Sequence, residues 1–328
     1  MNLHPYALVK EDIQTKLHSE ELVGGTRQIE VFDVYTQKGK NMQLKDFVKY
    51  FNAPAFVRDI DWIDNVWPKE LLARQKNLEQ SAWARKNEFS IYPKVQKYCI
   101  MSVKKCFTDF HIDFGGTAVW YHVLKGEKVF WLIEPTEENL KLYEKWMLAG
   151  NDDTRFLGKL TKCTRVRLRQ GQTMIIPSGW IHSVYTPVDS LVFGGNFMHS
   201  YSIPMQIRIS HLEDRIKPEK KYRFPHFNQI FWCFIAQIVQ KATHRRYQRK
   251  LSPEAHNING SPTISNFLRS LPPLVINGLF PLLKYTEHLL KLTHPEVIEG
   301  ITRPHHLVKE FRALLNKIKK LGLRDQKI

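Results

Sequence analysis

Residues Thr108 to Lys128 read T-D-F-H-I-D-F-G-G-T-A-V-W-Y-H-V-L-K-G-E-K, with β-branched and aromatic side chains on both sides of the His-Ile-Asp. This composition predicts a β-strand. Because side chains alternate between the two faces of a strand, we expect His111 and Asp113 to project from the same face. An imidazole and a carboxylate side by side are two of the ligands that a metal ion needs. H-x-D alone often arises by chance, so a third ligand must come from elsewhere.

A second block, Gly171 to His199, contains a candidate for that ligand. The block predicts a short strand at 172–176, a turn at 177–179, a returning strand at 180–185 and a last strand at 191–198. His182 lies in the returning strand. A lone histidine in an apolar strand is more often a hydrogen-bonded core residue, but the upstream H-x-D favours a metal ligand here. Two histidines and one carboxylate on one face are typical of non-haem Fe(II) oxygenases, which keep coordination positions open.

Lys128 follows a predicted turn at Lys125-Gly126-Glu127 and opens an apolar strand. A lysine buried in such a strand requires an anionic partner. A dicarboxylate co-substrate that chelates the metal would provide the anion, and Thr108 and Tyr121 would donate hydroxyl hydrogen bonds to it. The alternative is that Lys128 extends from the strand end into solvent. Asn196, in the last predicted strand, would orient substrate or co-substrate through its amide.

The size and composition of the chain indicate a globular protein with more than one part. At 328 residues, a main domain with an accessory region is expected, and 43% hydrophobic residues exclude wholesale disorder. The four cysteines form no C-x-x-C pair, which argues against a disulfide framework or a zinc ribbon and favours a reducing compartment. No apolar run reaches the length of a membrane span, so we expect a soluble intracellular protein without a membrane partner.

The net charge of +17 is unevenly distributed, with 16 Lys and Arg against 6 Asp and Glu from Phe231 onward. Such a balance favours polyanionic partners such as nucleic acid. Arg165, Arg167 and Arg169 alternate along one predicted strand; a solvated strand face is the favoured interpretation, and a contact for DNA phosphates is the alternative. The basic cluster at 241–250 is equally typical of a nuclear-targeting segment and of a charged helix end.

The longer motifs resemble one known family, the Jumonji-C (JmjC) histone lysine demethylases. The similarity is strong over about residues 28–235 and is greatest to the subgroup that carries an F-box and a CXXC zinc finger, ahead of the subgroup linked to a plant-homeodomain finger. The motifs that carry this resemblance are Tyr92 to Cys99, Thr108 to Lys128, Phe130 to Ile133, Pro177 to His182, Tyr185 to Asn196 and Ile207 to Arg215.

The resemblance implies a mostly β fold, a double-stranded β-helix (jelly-roll, cupin-like) with flanking helices and a C-terminal helical region. It implies Fe(II) on His111, Asp113 and His182, with 2-oxoglutarate and O2 as co-substrates. The implied reaction is oxidative N-demethylation of mono- or dimethyl-lysine on the histone H3 tail, with release of formaldehyde and succinate. Lysine 36 is favoured over lysine 9 or 27. A nuclear chromatin regulator is implied, with nucleosomal DNA as a possible contact of the basic surface.

The predicted organisation has four parts: a strand and helix region at 1–90, the JmjC core at 91–200, helices with a basic end at 201–250, and a linker with a helical hairpin at 251–328. The chain departs from the family at Ala55-Phe56-Val57. Relatives carry a further strand-forming segment there. Two alternatives therefore stay open, a catalytically impaired chromatin scaffold and a protein hydroxylase.

Overall fold

The computed structural model describes residues 28–33, 38–43, 51–79, 92–150, 155–248, 263–292 and 300–324. At the N-terminal side, Gln28–Asp33 (β1) and Lys38–Gln43 (β2) form an antiparallel pair, with Gln28 opposite Gln43. Within the described ranges, no helix combines the length and apolar character that a membrane span requires.

The main sheet consists of six antiparallel strands. They are Tyr98–Ser102 (β3), Phe107–His111 (β4), Ala118–Ile133 (β5), Thr164–Arg169 (β6), Thr173–Ile176 (β7) and Ile181–Phe197 (β8). The order is β3-β8-β5-β6, with β4 also paired to β8 and β7 also paired to β5. The long strands β5 and β8 pair along most of their length, and the remaining strands attach to them. All candidate site residues except Asp113 lie on β4, β5 or β8.

The predicted turn at Lys125-Gly126-Glu127 is wrong, because β5 runs through these residues as one strand. Its register against β8 shifts between Val123 and Val129, which marks an irregular, bulged stretch. Gly126 has a φ of +85°, a conformation that a glycine adopts at no steric cost. A charged, glycine-containing tripeptide is compatible with a turn or a bulge, and the long-range pairing with β8 selects the bulge.

The predicted hairpin around the turn at 177–179 is also wrong. The strand β7 pairs with β5, whereas β8 pairs with β3, β4 and β5. The two strands expected at 180–185 and 191–198 are one continuous strand, β8. The turn residues predicted that β7 and the start of β8 would pair with each other. In the structure each of the two strands pairs with β5 instead.

Nine α-helices lie in the described ranges, mostly after the sheet. They are Ala55–Ile60 (α1), Trp62–Asn65 (α2), Lys69–Glu79 (α3), Glu137–Ala149 (α4), Ile203–Ile216 (α5), Phe227–Thr243 (α6), Ile264–Ser270 (α7), Pro273–Leu289 (α8) and Pro304–Lys320 (α9). The helix α4 begins after Thr136, whose side chain accepts a hydrogen bond from the Asn139 backbone N–H at 3.2 Å, as an N-cap does.

Of the four hydrophobic clusters in the described residues, the two largest join helices to one another and to the sheet. The larger core joins the N-terminal helices to the C-terminal ones: Trp62 of α2 stacks on Phe234 of α6, with ring centroids 4.4 Å apart. In a second core, Ile209 and Leu212 of α5 pack with Phe110 at the end of β4. This contact fixes the helical region directly behind the segment that carries the first two candidate metal ligands.

Candidate metal centre

The structure brings His111, Asp113 and His182 together, with one ligand atom from each lying within 4.8 Å of the other two. His111 pairs with His182 across β4 and β8, and their ring centroids are 4.1 Å apart. The Nε2 atom of His182 lies 3.6 Å from Oδ2 of Asp113. The triangle is therefore small enough for a single metal ion to contact all three side chains.

The expectation that His111 and Asp113 share one strand is wrong in detail. The strand β4 ends at His111, and Asp113 lies in extended conformation just before a 3₁₀ turn at Phe114–Gly116. Gly115 and Gly116 adopt φ values of +61° and +60°, which lets the chain turn away at once. Asp113 nevertheless faces His182, because an extended residue keeps the alternation that the strand pattern predicts.

Both histidines are held in one orientation by backbone carbonyls. The Nδ1 of His111 bonds to the Asp109 carbonyl oxygen at 2.8 Å, and the Nδ1 of His182 bonds to that of Trp180 at 3.1 Å. A carbonyl oxygen only accepts, so each Nδ1 must carry the hydrogen. Each Nε2 then keeps its lone pair for a metal, which is the arrangement found around metal-bound histidines.

The electrostatics also fit a divalent cation. Burial lowers the pKa of His182 to about 4, partly offset by its hydrogen bond to Trp180, so this imidazole is neutral at pH 7. Burial raises the pKa of Asp113, whereas His111 and the amide of Asn196 lower it. A bound cation would favour the ionised carboxylate. Neutral imidazoles and one carboxylate are ligands that suit first-row transition metals.

Asn196 lies beside the triad and bonds to one of its members. Its Nδ2 donates to Oδ1 of Asp113 at 3.3 Å and to Oγ1 of Thr117 at 2.9 Å. Thr117 in turn donates to the Phe114 carbonyl oxygen at 3.0 Å. Sequence reasoning missed Thr117, since only the fold shows that the residue after the glycine turn lies next to β8.

Lys128 is deeply buried, with 2% of its surface exposed. Its Nζ donates to Oγ of Ser102 at 2.7 Å and to Oγ1 of Thr186 at 2.8 Å. Burial lowers its pKa to about 8. Because Lys128 is buried, the alternative of a lysine that extends into solvent is wrong. Among the described residues no carboxylate pairs with its ammonium, and the 2-oxoglutarate carboxylate stays its predicted partner.

Thr108 and Tyr121 lie on the walls around this lysine and the triad. Thr108 is half-buried and pairs with Val184, which lies two residues after His182 and two residues before Thr186 on β8. Tyr121 is buried, its ring meets that of Phe130 edge-on at 5.1 Å, and burial raises its pKa well above the ordinary value. Among the described residues, neither hydroxyl bonds to Lys128 or to the triad.

The short connection at Ala55-Phe56-Val57 is closed by packing. It forms the start of α1, and Val57 is buried against Trp120, Phe193 and Phe197 at the end of the barrel. A cavity of about 10 Å³ remains beside Asn196, room for about one water molecule. The segment that was expected to depart from the family pattern is therefore packed against β5 and β8, next to Asn196.

Comparison with known proteins identifies the class. A model of the "JmjC domain, hydroxylase" family matches residues 98–197, and a model of the "Jumonji helical domain" matches residues 201–272. The chain therefore contains a JmjC domain followed by a Jumonji helical domain. Its expected fold, a jelly-roll of the double-stranded β-helix type with flanking helices and a C-terminal helical region, is confirmed.

The chain is 45% identical over 276 residues to lysine-specific demethylase 2B of Mus musculus, covering 73% of this chain and 21% of that protein. It is 43% identical over 263 residues to JmjC domain-containing histone demethylation protein 1 of Caenorhabditis elegans, covering 71% and 24%. The identity to histone lysine demethylase PHF8 of Danio rerio is 36% over 295 residues, covering 82% and 26%. The expected subgroup is confirmed, and the chain spans about a quarter or less of these relatives' length.

Proposed function

We propose that the chain is an Fe(II)- and 2-oxoglutarate-dependent dioxygenase that demethylates mono- or dimethyl-lysine on histone H3, with lysine 36 as the favoured position. The observation that carries the proposal is the triad of His111, Asp113 and His182 with both Nδ1 atoms bonded to carbonyls. The names of the relatives, which are lysine and histone demethylases, support the reaction and the substrate class.

Three side chains would hold Fe(II) and three more would hold 2-oxoglutarate. His111, Asp113 and His182 are the proposed metal ligands, and Lys128, assisted by Thr108 and Tyr121, is the proposed partner of the distal carboxylate. Fe(II), 2-oxoglutarate and O2, when bound, would together supply the oxidation of an N-methyl carbon. The products would be formaldehyde, succinate and CO2.

The chain's own residues position and protect this chemistry. Asn196 holds the Asp113 carboxylate in place through a 3.3 Å hydrogen bond. The ammonium of Lys128 would neutralise a carboxylate in a setting where charge is expensive to bury. Phe130 and Val184 belong to one buried apolar cluster, and the Phe130 ring lies 6.3 Å from the His182 ring.

Substrate choice and location complete the proposal. Resemblance to the F-box subgroup favours histone H3 lysine 36, and resemblance to the plant-homeodomain subgroup favours lysine 9 or 27. The same proposal includes nuclear location, chromatin partners and the four-part division of the chain at 90, 200 and 250.

A catalytically impaired scaffold is the second candidate, supported by the short connection at Ala55-Phe56-Val57. A protein hydroxylase would use the same triad on a different carbon.

Formaldehyde release from methylated H3 peptides tests these candidates. Peptides dimethylated at lysine 36, 9 or 27 are incubated with protein, Fe(II) and 2-oxoglutarate, with His182→Ala as the control. We expect formaldehyde from the lysine 36 peptide and none from the control. Succinate without formaldehyde would favour the hydroxylase. No product from folded, iron-loaded protein would favour the scaffold and contradict the proposal.

A further inference from the structure

A strongly basic segment lies outside the metal centre. Residues 155–169 contain no Asp or Glu, and the next acidic residue along the chain is Asp189. All six cationic side chains of this segment are exposed: Arg155, Lys159, Lys162, Arg165, Arg167 and Arg169. We call these six residues the basic strip. Positive charge at this density, without interleaved carboxylates, attracts polyanions.

Half of the basic strip lies on β6, an edge of the main sheet. Arg165, Arg167 and Arg169 alternate with more buried residues and share one face, at intervals of about 6.7 Å. One acidic side chain reaches them: Glu127 lies 3.3 Å from Arg167, whose side chain is half exposed. In the part of the chain that the structure describes, Lys159, Lys162, Arg165 and Arg169 form no ion pair. Their charges are therefore available to a partner.

The basic strip passes close to the metal centre. Thr164, the first residue of β6, pairs with Leu132 of β5. Leu132 pairs with His182 of β8, and His182 pairs with His111 of β4. These four residues form one row across the sheet. With strands about 4.8 Å apart, Thr164 lies about 10 Å from His182 along that row. Because side chains alternate along β6, its three arginines project from the face opposite to Thr164, so a polyanion bound to them would lie on the outer side of the sheet, about two strands from the metal centre.

The surface of the strip suits phosphates better than an acidic protein. The large hydrophobic side chains that the described structure exposes include none from the strip segment at 155–169, and exposed Val188 lies two strands away from Arg169, beyond Glu127. A stable protein interface requires an apolar centre with aromatic anchors, and single-stranded nucleic acid requires aromatic rings for stacking. Backbone phosphates require only Arg, Lys, Thr and Gln donors, and the strip has Thr164, Gln170 and Gln172 exposed beside its cations.

We propose that the basic strip binds the phosphate backbone of double-stranded DNA without reading its sequence. Each guanidinium of β6 presents a planar fork that matches a phosphate. This DNA-binding role rests on the proposed function, in which chromatin is the partner, because histone tails project from a particle that is wrapped in DNA. DNA binding itself requires neither iron nor co-substrate.

Fluorescence anisotropy with a labelled DNA duplex tests the proposal. The variant Arg165→Gln/Arg167→Gln/Arg169→Gln is compared with a control of equal charge change, in which exposed lysines of the C-terminal helices are replaced: Lys284→Gln, Lys309→Gln and Lys320→Gln. We expect the arginine variant to bind about tenfold more weakly or worse, and to lower the slope of log K against log salt by about 2.7, at about 0.9 per phosphate contact. The control should keep the wild-type slope.

Three results would overturn the proposal. Equal losses in both variants would show a diffuse charge effect. Unchanged DNA binding with new self-association, seen by sedimentation, would show that the arginines protect an exposed sheet edge. Unchanged DNA binding with lost binding to polyglutamate would make the strip a protein-docking surface. The arginine variant should also keep wild-type turnover on an H3 peptide while its KM for nucleosomes rises, and if catalysis fails altogether, the anisotropy result still stands by itself.

Discussion

Replacing Lys128 by methionine should change stability in a pH-dependent manner. Burial lowers the pKa of Lys128 from 10.5 to about 8, so between these values the unfolded chain binds a proton that the folded chain does not. Stability therefore rises with pH across this window. At about 1.36 kcal/mol per pKa unit, wild type should gain about 2.5 kcal/mol in free energy of unfolding from pH 7 to pH 10 relative to Lys128→Met. The comparison cancels the titration of other groups.

The assay is urea unfolding of both proteins at pH 7, 8, 9 and 10, repeated with saturating 2-oxoglutarate and iron. Without co-substrate, we expect the difference in free energy of unfolding between the two proteins to change by about 2.5 kcal/mol from pH 7 to pH 10. With co-substrate it should become nearly independent of pH below 10, because a carboxylate beside the ammonium restores a high pKa. The variant should raise the KM for 2-oxoglutarate by about thirtyfold or more, since loss of a buried charged partner costs about 2–5 kcal/mol. A pH-independent difference, or an unchanged KM, would refute this role of Lys128.

Three further substitutions test other parts of the account. Asn196→Ala removes the hydrogen bond to Asp113 and should weaken iron binding by about 10- to 100-fold in an anaerobic titration, without a matching loss of thermal stability; undiminished affinity would argue against a positioning role. Gly116→Ala forces a side chain into a positive-φ position against α5, so chemical unfolding should show a loss of about 1–3 kcal/mol beyond that of Gly171→Ala, which has a positive φ but open space. Burial raises the pKa of Asp61 to about 7, so the stability that this carboxyl contributes in acid is lost as pH rises through 7. From pH 4 to pH 8, the free energy of unfolding of Asp61→Asn should therefore rise by up to about 4 kcal/mol relative to that of wild type. Equal pH profiles of the two proteins would contradict the raised pKa of Asp61.

The sequence allowed the grouping of the three candidate metal ligands to be predicted, because each lies in a segment of clear strand composition; that they hold iron stays a prediction. His111 and Asp113 are two residues apart in an extended segment, and His182 lies in a strand of unmistakable composition. The buried lysine was also predictable, since Lys128 interrupts an apolar run. Its hydroxyl partners were not, because Ser102 and Thr186 lie on strands that only the assembled sheet brings to it.

The errors in strand pairing have one physical cause. Local turn chemistry predicted a turn near Gly126 and a hairpin around residues 177–179. In the structure, β5 and β8 gain a long antiparallel ladder by running straight through their irregular stretches. Cooperative pairing over more than a dozen residues outweighs the preference of a tripeptide, and no local pattern reports it.

Anaerobic Fe(II) binding is the most direct test of the metal centre. Wild type, Asp113→Ala and His182→Ala are dialysed against Fe(II), their iron content is measured, and circular dichroism verifies the fold of each. We expect one iron per wild-type chain and none in either variant, with all three folded. Iron retained by both variants at the wild-type level would contradict the assignment of the triad as the metal site.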